Sequence, residues 1–314
     1  MKWPWLKRML LVVMSIVAAL GVSEVAARLL AEPASAPRET KYDLVKGATP
    51  DAPYRFRPDG TSTYSWDGDP YGTLPPGAKM SVVVNHEGLR GSVPAQGGPV
   101  TLLVGDSFTF GEGVLDKDTF TARLNADLTG GYVAVNAGVP GYSTHDELGR
   151  LDGWLDRFSP KVVVVVFVPN DPIPLTDSMR RSNDLMNIRT RHASSSRLVQ
   201  LLSQRREVQE TQRWYRSYFT GKRRPYWERA RADLADMAQR SKKRGANFGV
   251  VLFPILNDVG GAGYREIHAA VAQACKELGV RFLDLSTALA SAPEASLWVH
   301  PTDHHPNAKT HALA

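Results

Sequence analysis

The 314-residue chain has a single cysteine, Cys275. That count excludes an intramolecular disulfide and any cysteine-based metal site. Cys275 falls in an apolar pattern with Ile267, Val271, Ala274 and Leu278, so it reads as helix packing. No internal repeat is evident. Acidic residues are scarce in one stretch where Arg180, Arg181, Arg189, Arg191, Arg197, Arg205, Arg206, Arg213, Arg216, Lys222, Arg223 and Arg224 crowd together, and much of the net charge of +6 sits there. Aromatics are not interleaved in that stretch as stacking would require, so nucleic acid is not expected as a partner. A solvated helical face is the reading preferred over an anionic lipid or polysaccharide surface. The hydrophobic fraction of 43% and charged fraction of 22% are those of a globular protein.

Long apolar runs are also scarce. One exists, Met9 to Val22, preceded by Lys2, Lys7 and Arg8 and followed by Ser23 and Glu24. Basic residues before an apolar run are the layout of an export signal or anchor. The run falls short of the usual ~20-residue span. An uncleaved anchor continuing through Val25 to Leu30 is preferred over a cleaved signal, because Pro37 follows the small-residue site Ala34-Ser35-Ala36. The expected organisation is a signal or transmembrane anchor at 1–31, a linker and irregular apron at 32–98 and a catalytic domain at 99–314. A basic helical insertion is expected at about 172–245. The catalytic domain would face outward from the cytoplasmic membrane, or be secreted if the signal is cleaved.

From Val100 the pattern changes. Strands are predicted at Val100–Val104, Tyr132–Val135, Val162–Val168, Phe248–Phe253 and Arg281–Leu285. Val162 to Val168 has no polar alternation, the mark of a strand buried on both faces of a parallel sheet. Helices are predicted at 117–128, from a Thr144/Glu147 capping box onward, around 195–208 and 226–243, and at 263–278. Strands alternating with helices give an α/β fold with about five parallel strands. Ligands in such folds lie beyond the carboxyl ends of the strands.

The polar residues at those ends form a set. Gly105-Asp106-Ser107 follows the first strand, Asn136 to Gly141 the second and Pro169-Asn170-Asp171 the third, and Asp303-His304-His305 lies near the C-terminus. A serine hydroxyl needs a base to take its proton, the expected work of His305. Asp303 would hold the other imidazole N–H and fix the tautomer. The attacked ester develops an oxyanion, and the Ser107 N–H, the Gly141 N–H and the Asn170 side-chain amide are the candidate donors. Gly138 competes with Gly141, and His304 with His305. The Asp-x-His spacing and His-Pro-Asn triplet favour His305. Pro301 and Pro306 interrupt any helix that would gather His300, His304, His305 and His311, so no metal is expected. His145 reads as a surface or capping residue and Trp298 as packing under the His305 loop.

These four blocks resemble the SGNH (GDSL-like) hydrolases, whose Ser, Gly, Asn and His occur in this chain order. The segment Asn85-His86-Glu87-Gly88-Leu89-Arg90-Gly91 is similar to a lead-in of membrane-anchored bacterial members. The resemblance implies a three-layer α/β/α flavodoxin-like fold, a Ser107–His305–Asp303 unit, no cofactor or metal, and acylated small-molecule, carbohydrate or lipid substrates. It also favours Gly141 over Gly138 for the oxyanion. Pro169 stands where the family usually has Gly and Lys309 where Gly is common, and with so few residues after His305 either the sequence is truncated or the last helix is short. An ester hydrolase is the first expectation, an O-acyltransferase the second and an inactive polysaccharide-binding module the third. The oligomeric state is not legible.

Overall fold

The computed structural model describes residues 4–30, 38–49, 52–93, 98–181, 184 and 196–314. The chain forms two compact units. Met1–Ala34 and Arg180–Thr211 make one, Ser35–Met179 and Gln212–Ala314 the other.

In the first unit, helix α1 (Pro4–Leu30) carries the whole apolar run without a break at Ser23 or Glu24. Its 27 residues give a rod of roughly 40 Å at 1.5 Å per residue. Among the described residues it is the one helix long and apolar enough to cross a membrane. Leu10, Leu11, Val12, Val17 and Val22 along it are exposed. The Glu24 carboxylate accepts the backbone N–H groups of Arg197 and Leu198 at 2.9 and 3.0 Å, so it caps the start of helix Arg197–Phe219.

The second unit begins with an apron that is more ordered than the sequence suggests. Strands β1 (Glu39–Lys41), β4 (Thr61–Ser65) and β5 (Lys79–Val83) form an antiparallel sheet, and β2 (Leu44–Thr49) pairs with β3 (Ala52–Phe56). The alternation in β4 and β5 is real but disguised: Ser62 and Tyr64 point inward, as do Met80 and Val82, while Thr61, Thr63, Lys79, Ser81 and Val83 lie on the other face. Phe56, Tyr64, Trp66 and Val82 share a core with Phe110, Val139, Tyr142 and Val299, so the apron packs directly on the loops above the main sheet.

That main sheet is parallel, in the order β10-β9-β8-β6-β7, with β6 at Val100–Gly105, β7 at Val133–Gly138, β8 at Val162–Phe167, β9 at Asn247–Leu252 and β10 at Arg281–Asp284. The five strands agree with those predicted to within a few residues, and the order is the flavodoxin-like one. Along β8 the side chains divide by parity. Val163, Val165 and Phe167 enter a core with Leu151, Trp154, Leu234 and Val271, and Val166 and Val168 meet Phe108, Phe253, Leu289 and Leu297 on the opposite face. The fold is therefore three-layered, as expected. The helix Thr144–Phe158 buries Leu148, Leu151, Leu155 and Phe158 as predicted. Its capping box, however, is Ser143 with Asp146, one residue earlier than Thr144 with Glu147. The reason is that the Thr144 N–H is already spent on the Asp171 carbonyl at 3.0 Å.

In the basic stretch, helices span Arg197–Phe219 and Arg224–Lys243; the first runs well past the predicted end near 208. Arg189 and Arg191 lie outside the described residues. Several of its cations pair at i,i+4 spacing, Arg206 with Glu210 and Arg224 with Glu228. This is the solvated helical face the sequence suggested. Cys275 is buried in helix Arg265–Leu278, and burial pushes its thiol up to about 11.

Candidate active site

Order reversal in the sheet occurs between β6 and β8, with β7 outside β6, and the residues singled out lie beyond the carboxyl ends of these three strands. Ser107 opens the short helix α2 (Ser107–Phe110) directly after β6. Asp106 is its N-cap and accepts the Phe108 N–H at 2.9 Å, which leaves the Ser107 N–H as an orphan donor of the helix start. At Gly138 α2 lies close against β7. A Cβ there would fall 2.3 Å from the Phe110 nitrogen, so only glycine allows the turn to lie on the strand. The Gly138 N–H is itself taken by the Asn136 side chain at 3.0 Å.

A chain of contacts starts at Ser107. Its Oγ lies 2.9 Å from His305 Nε2, and His305 Nδ1 lies 2.5 Å from Asp303 Oδ1. Both residues stand on strand β12 (Asp303–Pro306), which pairs with β11 (Trp298–His300). Asn307 holds this hairpin: its side-chain amide donates to the Ser296 and Trp298 carbonyls, both at 2.9 Å. It also caps the short helix Ala308–Leu313. The rival imidazole points elsewhere. His304 stacks on Trp298 at 4.1 Å and contacts the Pro301 carbonyl at 3.1 Å. His300 contacts Thr302, and His311 accepts the Phe120 N–H at 3.2 Å. Burial presses His311 down to about 3. His145 lies between Arg229 and Asp233, at the start of helix Thr144–Phe158.

Asn170 reaches the same turn. Its Nδ2 donates to Asp106 Oδ2 at 2.8 Å, spending one of two amide hydrogens. Gly141 sits in a left-handed turn, φ 79°, where a Cβ would come within 2.8 Å of the Tyr54 hydroxyl. Among the described residues no hydrogen bond joins Gly141 to Ser107, Asn170 or His305. The structure thus brings Ser107, His305 and Asp303 into direct contact and ties Asn170 to them through Asp106.

Sequence reasoning missed an inner ring of polar residues. Arg38 donates to Asp303 Oδ2 at 2.9 Å and to Glu112, and Trp66 Nε1 donates to Asp303 Oδ2 at 2.9 Å. Tyr42 donates its hydroxyl to Glu112. Glu112 Oε2 stands 3.3 Å from His305 Nε2. Burial alone would raise Asp303, but Arg38, the imidazole and Trp66 overcome it and hold the carboxyl well below its usual range. For His305, burial works downward, and Asp303 and Glu112 outweigh it against Arg38, so the imidazole lies above its ordinary 6.5. Arg90, 2% exposed, clamps the far side of the nucleophile turn: it donates to the carbonyls of Phe110 (3.0 Å), Gly111 and Val114 (2.5 Å) and to Asp116 (2.8 Å). Its place in the Asn85–Gly91 lead-in was the one available sequence signal for this ring.

Three acids lie fully buried beneath the turn: Asp106, Glu147 and Asp171. Among the described residues neither Glu147 oxygen has a hydrogen-bond partner. Burial, then the charge of Asp106, raises Glu147 well above 4.5; burial, then Glu147 and Asp106, does the same to Asp171. A raised carboxyl keeps its proton in the folded state where the unfolded chain has lost it. Stability is then fully present below about 4.5 and drains away as pH rises toward the folded value. Glu147→Gln should therefore stabilise the protein by about 1–3 kcal/mol at pH 8, with little gain at pH 4. Urea unfolding at both pH values checks this, and a variant weakened at pH 8 would contradict it.

Residues 103–313 match the GDSL-like Lipase/Acylhydrolase family. Among solved structures, the chain is similar to TesA, with a TM-score of 0.44 and 17% identity over 68% of this chain and 92% of that one. It is also similar to the psychrotrophic esterase EstA from Pseudoalteromonas sp. (0.43, 14%, 68% and 91%). A catalytic mutant of Axe2, an acetylxylan esterase from Geobacillus stearothermophilus, compares at 0.45, with 16% identity, 69% and 90% coverage. Comparison with curated protein sequences gives no match.

Proposed function

The chain belongs to the GDSL-like lipase/acylhydrolase family, and from that premise we propose that it is a serine-dependent ester hydrolase acting on an O-acyl ester. The observation that carries this reading is the continuous path Ser107 Oγ, His305 Nε2, His305 Nδ1, Asp303 Oδ1, with separations of 2.9 and 2.5 Å across its two gaps. With the Nδ1–H donated to Asp303, Nε2 is the free acceptor for the serine proton. Ser107 Oγ attacks the ester carbonyl as its proton passes to Nε2. The carbonyl oxygen becomes an oxyanion held by the Ser107 N–H, the Gly141 N–H and the second Asn170 amide hydrogen. Collapse breaks the ester C–O bond, and the alcohol leaves with the proton from Nε2. Water then repeats the sequence on the acyl-serine and releases the acid.

An O-acetyl ester of a cell-envelope carbohydrate or lipid is the substrate class we propose. The support is topological: α1, long and apolar with Lys7 and Arg8 at its start, suits an anchor that leaves the catalytic unit outside the cytoplasmic membrane. The test uses the full chain in detergent with a small acetyl ester, with and without an acetyl-free oligosaccharide, and the products are weighed. Free acetate in both cases is expected. Acetylated oligosaccharide forming faster than acetate would replace hydrolysis by acyl transfer, and no acyl chemistry at all would remove the proposal.

A further inference from the structure

We propose that Arg38, contributed by the apron just after the N-terminal helix, is a positioning residue that spans Asp303 and Glu112 and so keeps the imidazole between them available as a base. The proposal rests on the reading of Ser107 and His305 given above. Two buried carboxylates flank one imidazole: Asp303 at Nδ1, 2.5 Å away, and Glu112 at Nε2, 3.3 Å away, the same nitrogen that faces Ser107 Oγ at 2.9 Å. Left uncompensated, two such anions would trap a proton on the ring, and Glu112 would compete with the serine for Nε2.

Arg38 prevents this with one planar group. Its Nη1 takes Asp303 Oδ2 at 2.9 Å and its Nη2 takes Glu112 Oε2. The guanidinium also stands 3.3 Å from His305 Nδ1, where its charge opposes a second positive charge on the ring. The other Glu112 oxygen is filled by Tyr42, and Asp303 Oδ2 also receives Trp66. Both carboxylates are therefore turned by donors from the apron. A lysine ammonium offers a point charge and could not serve both acceptors with the same geometry. Among the described residues, the remaining charged or titratable groups toward His305 are Asp106 under the serine turn, His311 behind it and the Tyr64 phenol beside Glu112 and Arg38. None of these bridges the two carboxylates.

The test follows the His305 imidazole of the full chain by NMR titration, alongside the pH profile of kcat/KM. Arg38→Met removes a cation beside the ring, so the imidazole pKa and the acid limb of the profile should both rise by about one pH unit, with activity at pH 7 down ~10-fold. Glu112→Gln should move both the opposite way, and the double variant should bring them back near the parent. Arg38→Lys should hold the pKa within about half a unit while kcat falls. If Arg38→Met does not fold, Glu112→Gln and Arg38→Lys carry the test. An imidazole pKa that stays put or falls in Arg38→Met, or stays put in Glu112→Gln, would overturn the proposal. The NMR shifts need no turnover, so they persist even if Ser107→Ala keeps its activity and the nucleophile assignment fails.

Discussion

Replacing Ser107 with alanine is expected to lower kcat/KM for a small acetyl ester at least ~10³-fold. The variant removes one oxygen whose side-chain contact is His305 Nε2, and it leaves the α2 helix, its Asp106 cap and the Arg90 clamp in place. The Ser107 N–H also remains, so any residual rate reports the oxyanion donors and substrate binding alone. Losing a single, mostly buried hydrogen bond costs about 1 kcal/mol, so the unfolding midpoint should move by only a few degrees. That separation of effects distinguishes a nucleophile from a structural hydroxyl. Steady-state kinetics and a thermal melt on the same preparation check both halves, and retained activity would remove the assignment.

Asp303→Asn is expected to cost ~10³-fold or more in kcat at neutral pH. The corresponding change in the serine-protease template costs ~10⁴ by presenting the wrong tautomer. Here the amide would be able to donate to Nδ1, forcing the ring proton onto Nε2, where the serine needs an acceptor. It would also leave Arg38 and Trp66 facing a neutral group in place of the buried anion they now share. Because Asp303 is a major influence raising the imidazole, the pKa of His305 should fall in the same variant. A kcat within tenfold of the parent would show that Glu112, not Asp303, supports the ring.

The candidate site was legible because it follows the sheet. Ser107, Asn136 to Gly141 and Asn170 each come directly after a run of apolar β-branched residues, and a parallel sheet gathers such ends at one edge. Val162 to Phe167 could hardly be read as anything but a central strand. The apron was not legible in the same way, since Thr61 to Ser65 buries Ser62 and exposes Thr61 and Thr63, which blurs the apolar alternation. Arg38 was the least readable residue of all. It lies among prolines and small residues, and its role exists only through contacts to Glu112 and Asp303, the latter 265 positions away in the chain. The capping box slipped by one residue because the competing acceptor, the Asp171 carbonyl, comes from another loop.

Asp303 and Glu112 stand on either side of the His305 imidazole and share Arg38 between them. If the serine proton passes to the ring, the imidazole gains a positive charge as the oxyanion gains a negative one, and the carboxylates that face the ring are already held by Trp66, Tyr42 and the β11–β12 hairpin. Such preorganisation avoids reorganising water at the moment of attack.

The most direct test is covalent. A fluorophosphonate probe mixed with the full chain should add one phosphonyl group, found by peptide mass spectrometry on Ser107, with no adduct in Ser107→Ala and much slower labelling in Asp303→Asn. An unmodified Ser107, or an equal rate of labelling at some other residue, would contradict the claim that this hydroxyl is activated by His305.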